Sequence, residues 1–125
     1  MTMPRILVIN DDASVLALAQ CVLELEDYEV ILANCGDEGV EKAQKIKPDF
    51  ILLDIIMPGL DGWAVLQKLK SLPETRDIPV AMFHASSQIP MERCREHGAV
   101  DTITMPFEPQ ELVKKIRIFL NLPAE

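Results

Sequence analysis

Five short apolar runs recur along the chain: Ile6 to Ile9, Val30 to Ala33, Phe50 to Leu53, Ile78 to Phe83 and, more weakly, Val100 to Ile103. Each has the length of a strand rather than a helix. Between them apolar residues return at intervals of three and four: Val15, Leu16, Ala19, Val22 and Leu23, then Val40, Ala43 and Ile46, then Trp63, Leu66 and Leu69. The last such segment carries Leu112, Val113, Ile116, Phe119 and Leu120. These segments read as helices with one buried stripe. Strands and helices that alternate through short loops specify a parallel sheet covered on both faces. Coverage on both faces also explains why the central strands are continuously apolar. The expectation is one α/β domain over residues 1–125, with five strands and five helices.

The loops carry fitting punctuation. Lys47-Pro48-Asp49 ends the second helix, Met57-Pro58-Gly59 turns after the third strand, and Glu108-Pro109 starts the fifth helix with proline in its first turn. At 49% hydrophobic, 125 residues suffice for one core and not for two. A net charge of -8 without a basic run speaks against a nucleic-acid or anionic-membrane surface. With no apolar run long enough to cross a bilayer and no signal-peptide pattern, the chain is read as soluble and cytoplasmic. Cys21, Cys35 and Cys94 lack metal-ligand spacing and are read as small hydrophobes. The chain stops soon after the fifth helix, so no output domain is expected in it.

In an open doubly wound sheet, ligands bind beyond the carboxyl ends of the strands, where the strand order reverses. The polar residues there are Asn10, Asp11 and Asp12 after the first strand, Asp54 after the third, His84 after the fourth, and Thr104 with Met105 after the fifth. If the first and third strands are neighbours, Asp11 and Asp54 converge. Two carboxylates suit a hard divalent cation such as Mg²⁺. Asp12 and Asp61 read equally well as helix caps, whereas Asp54 sits among Leu53, Ile55 and Ile56 with no helix close behind.

The segments "ILVINDDASVL", "PDFILLDIIMPGLDGW", "IPVAMFHAS" and "GAVDTITMPF" resemble, in order and spacing, the response-regulator receiver domain. The resemblance covers essentially the whole chain. It implies a flavodoxin-like doubly wound sheet of order 2-1-3-4-5, and a non-enzyme that takes a phosphoryl group from a histidine kinase or phosphotransfer protein. Asp54 falls on the phosphoacceptor, Asp11 on the metal-binding carboxylate, and Ile56 on the position that offers a backbone carbonyl to Mg²⁺. The resemblance also places the partner face, or a homodimer contact, on helices four and five and strand five, where Ile118 falls on a polar helix side. It further implies a cis Met105-Pro106 bond.

Four positions depart from the family pattern. Asn10 stands where the first acid of the pair belongs; an amide there can still hold a metal-bound water but contributes one negative charge fewer. His84 occupies the Ser/Thr position, Met105 the lysine position and Thr102 the aromatic switch position. Methionine gives no charge-assisted bond to a phosphoryl group, a bond worth roughly 1.5–3 kcal/mol. His84 reads as a hydrogen-bonded imidazole at a strand end, a metal ligand, a cation in place of the lysine, or a proton donor. The departures remove both parts of the usual switch. The expected function is therefore phosphoryl acceptance with an atypical response, against the alternative of a pseudo-receiver that binds a partner without phosphoryl chemistry.

Overall fold

The computed structural model describes residues 3–55, 62–84, 91–104 and 107–120, and only the backbone of His84, Met91 and Thr104. Strands β1 (Arg5–Ile9), β2 (Glu29–Ala33), β3 (Phe50–Asp54), β4 (Val80–His84) and β5 (Asp101–Thr104) alternate with helices α1 (Ala13–Glu24), α2 (Gly36–Ile46), α3 (Gly62–Ser71), α4 (Met91–Glu96) and α5 (Pro109–Phe119). The strands form one parallel sheet in the order β2-β1-β3-β4-β5. The expected flavodoxin-like topology is the observed one.

Alternation along each strand divides the core in two, because successive side chains leave opposite faces of a sheet. Leu7, Ile9, Ile51, Leu53, Val80 and Met82 meet α2, α3 and α4 through Val40, Ala43, Val65, Leu66, Leu69 and Cys94. Ile6, Val8, Phe50, Leu52, Ala81 and Phe83 meet α1 and α5 through Leu16, Ala19, Leu23, Leu112 and Ile116. Complete burial of one such aliphatic or aromatic side chain contributes about 1.5–3 kcal/mol. Together these residues fix the depth and angle of each helix.

Of the terminating signals, Met57-Pro58-Gly59 lies outside the described residues, and those at Lys47 and Pro109 act where the sequence places them. Lys47 ends α2 in the left-handed region at φ 53°, directly before Pro48. Pro109 starts α5, with Glu108 as its extended N-cap. His97 closes α4, its Nδ1 lying 2.8 Å from the Arg93 carbonyl oxygen, and Gly98 follows at φ 102°. No helix among the described residues is long and apolar enough to cross a membrane.

Candidate functional site at the carboxyl ends of the strands

The chain leaves β1 towards β2 on one side and returns to β3 on the other, so the sheet's switch point lies between β1 and β3. Ile9 pairs with Leu53, which brings Asn10 level with Asp54 and Asp11 one residue beyond. Asp54 in turn pairs with Phe83 and His84 with Thr104, so the ends of β3, β4 and β5 line up beside them. Sequence reasoning puts Asp11, Asp54 and His84 around one pocket; the strand register aligns the carboxyl ends of β1, β3 and β4, from which these residues come. Ile56, Asp61, Met105 and the Met105-Pro106 bond lie outside the described residues, as does the side chain of His84.

Three successive polar residues after β1 do three different things. The Asn10 N–H continues the ladder to the Ala33 carbonyl oxygen at 3.0 Å. Its side chain is buried, and Oδ1 accepts the Asp12 N–H at 2.9 Å, an Asx turn that bends the chain off the strand. Asp12 caps α1, accepting the Ser14 N–H at 2.9 Å and the Ser14 hydroxyl at 2.6 Å. Those two bonds hold its carboxyl below the usual carboxylate range. Asp11 stands exposed between them.

Asp54, half-buried, ends β3 and is followed by the buried Ile55. The Ile55 N–H donates to the Phe83 carbonyl oxygen at 3.2 Å, and its own carbonyl oxygen accepts the Gly62 N–H at 2.9 Å. The first residue of α3 is thereby tied to the residue next to Asp54. No group of three or more His, Cys, Asp or Glu side chains gathers for a metal among the described residues. Asp11 and Asp54, at or just past the ends of neighbouring strands, are oxygen donors of the type a hard cation retaining several waters takes.

On the far side of the sheet, β5 is held at its open edge by its own chain. The Thr102 N–H donates to Asp101 Oδ1 at 2.8 Å, and the Thr102 carbonyl oxygen accepts Lys115 Nζ at 2.7 Å. Lys115 also pairs with Asp101 at 3.7 Å and Glu111 at 3.3 Å. Thr102 itself is buried. Sequence reasoning missed this clamp, although Glu111 and Lys115 stand at the four-residue spacing that pairs charges on a helix.

Residues 6–117 match the model of the response regulator receiver domain. The chain belongs to that family. It is 39% identical over 121 residues to the DNA-binding dual master transcriptional regulator RpaA of Synechocystis, covering 95% of this chain and 50% of the relative. It is 36% identical over 118 residues to the alkaline phosphatase synthesis transcriptional regulatory protein PhoP of Bacillus subtilis, covering 94% and 48%. The receiver chain thus spans about half the length of these curated relatives. Among solved structures, a putative response regulator from Chloroflexus aurantiacus is similar with a TM-score of 0.91 and 32% identity, over 96% of this chain and 99% of that one. The receiver domain of the sensor histidine kinase PA1611 from Pseudomonas aeruginosa shares the fold at a TM-score of 0.88 and 23% identity, over 96% and 99%. That structure has a magnesium ion coordinated in its active-site cleft.

Proposed function

We propose that this receiver accepts a phosphoryl group on Asp54 from a histidine kinase or phosphotransfer protein, and that the modification is weakly coupled to the partner face. The observation that supports the reading is the register that ends β1 and β3 side by side at the switch point, with Asp54 closing β3 and Asp11 two residues past the end of β1. An Asp54 carboxylate oxygen attacks the phosphorus of phosphohistidine, the P–N bond breaks, the imidazole leaves with its electron pair, and an acyl phosphate remains. Such transfers depend mostly on positioning and charge neutralisation. Asp11 and Asp54, with the Ile56 backbone carbonyl, are the groups to hold Mg²⁺, which supplies that neutralisation when bound. Asn10, its Oδ1 engaged by the Asp12 N–H, would act on a bound ion only through water.

Weak coupling follows from the residues that surround the acceptor. A bound group shifts a conformational equilibrium only by its differential interaction with the two states. Met105 and His84 replace the lysine and hydroxyl that make this difference elsewhere in the family. Thr102, at the aromatic switch position, is buried and clamped through its backbone. The partner face is assigned to α4, β5 and α5, where Ile118 is 59% exposed.

Intact-mass analysis after a small phosphodonor with Mg²⁺ tests the reading: the wild type gains one phosphoryl group and Asp54→Asn gains none. Amide shifts with beryllofluoride and Mg²⁺ are expected around Asp54 and small in α4 and β5; large shifts there refute weak coupling. Met105→Lys with His84→Thr then enlarges the response, and an unchanged response places the fault elsewhere. The competing reading is a pseudo-receiver, favoured by the amide at Asn10 and the missing lysine. A wild type that gains no mass decides for it.

A further inference from the structure

Gly62, the first residue of α3, lies directly against the backbone of the strand that carries Asp54. A Cβ at this position would fall 2.5 Å from Ile55 Cα and 2.7 Å from the Ile55 carbonyl oxygen, and would also meet the Asp54 carbonyl oxygen. All three are backbone atoms, so no change of rotamer relieves the contact and either the helix or the strand end must move. Glycine marks such close backbone approaches. Gly39 shows the contrast: a Cβ there would meet the Ile9 side chain, at 2.5 Å from Cδ1 and 2.8 Å from Cγ1. There the atoms in the way belong to a side chain of the core and not to the backbone that carries the reacting group.

A second observation points to the same place. The Gly62 N–H donates to the Ile55 carbonyl oxygen at 2.9 Å, while the Ile55 N–H donates to Phe83 on β4 at 3.2 Å. Ile55 is 3% exposed. The residue beside Asp54 is therefore gripped from the helix on one side and from the neighbouring strand on the other. Only a residue without a side chain allows α3 to close that grip.

We infer that Gly62 is a positioning residue for phosphoryl transfer, fixing the end of β3 so that Asp54 stands where a phosphodonor and a cation can both reach it. The inference rests on the reading of Asp54 as phosphoacceptor. Its role is geometric, since the residue offers no side chain to either reactant. Reactions of this kind are sensitive to position, a displacement of about 1 Å costing on the order of 10²-fold in rate.

The test is the rate of mass gain from a small phosphodonor at saturating donor and Mg²⁺, measured for wild type, Gly62→Ala and Gly39→Ala, with urea midpoints to show that each is folded under assay. Gly62→Ala is expected to lose about 10- to 100-fold in maximal rate, while folded Gly39→Ala stays within about twofold of wild type. A wild type that gains no mass refutes the phosphoacceptor reading itself. A phosphorylated wild type matched by a folded Gly62→Ala overturns the positioning role alone. Should Gly62→Ala fail to fold, the wild-type Gly62 amide decides: it is expected to be protected from exchange and to shift more with beryllofluoride and Mg²⁺ than Ser71 at the other end of α3. An unprotected or unmoved Gly62 amide overturns the inference.

Discussion

Replacing Lys115 by methionine keeps most of the side chain's stem and removes its ammonium. The ammonium donates to the Thr102 carbonyl oxygen at 2.7 Å and faces Asp101 and Glu111 at 3.7 and 3.3 Å. The Lys115 and Asp101 side chains are 24% and 14% exposed, so water screens this pair less than one at the surface. A hydrogen bond to a charged group contributes about 1.5–3 kcal/mol, and a partly screened ion pair less than about 1 kcal/mol. Methionine's apolar contacts return part of this, which leaves a net loss of about 1–2 kcal/mol. For a domain of this length that lowers Tm by about 4–8 °C. Thermal and urea unfolding measure it. A double-mutant cycle with Asp101→Asn, whose coupling should be about 0.5–1 kcal/mol, separates the ion pair from the hydrogen bond. A Tm within about 1 °C of wild type, set against that expected fall, would show that pairing with Met82 on β4 holds Thr102 without the clamp.

Tyr28 is the sole tyrosine and is buried, so its ionisation can be followed by absorbance without interference. Burial raises its pKa above the ordinary 10.0, and the nearby Arg117 guanidinium pulls it partly back, so Arg117→Met should raise it further. The neutral phenol's contribution to stability is complete below pH 10.0 and is lost as pH climbs through the raised folded value; a midpoint at the ordinary value would sink this account. Ile118→Glu on the exposed side of α5 should change stability by less than about 0.5 kcal/mol and weaken partner binding or self-association. If both persist unchanged, that face is not the contact.

Most of the architecture was legible because every buried position of β1 and β3 holds an apolar residue. Helix α4 was the exception. Its sequence Met91-Glu92-Arg93-Cys94-Arg95-Glu96 has no apolar stripe, and among its described side chains Cys94 is the one buried in the core. At the site, the residue types after β1 did not reveal their division of labour. Asp12 read equally as cap or ligand, and only the hydrogen bonds from Ser14 assign it to the helix. The Lys115 clamp and the Gly62 contact were invisible for a different reason: each joins a helix to the backbone of the strand before it, outside any periodic pattern, and neither a lysine on a polar helix face nor a glycine after an aspartate announces its partner.

The turn at Asn10 carries a consequence for how such a chain changes over time. Its Oδ1 serves as acceptor for the Asp12 N–H, and an aspartate carboxylate has the same shape and accepts the same bond. Exchanging amide for acid at this position leaves the scaffold untouched and alters one unit of charge in the crevice. The two residues are also a single nucleotide apart in the genetic code. A lineage can therefore step between a more and a less cation-hungry crevice, in either direction, without passing through a misfolded intermediate.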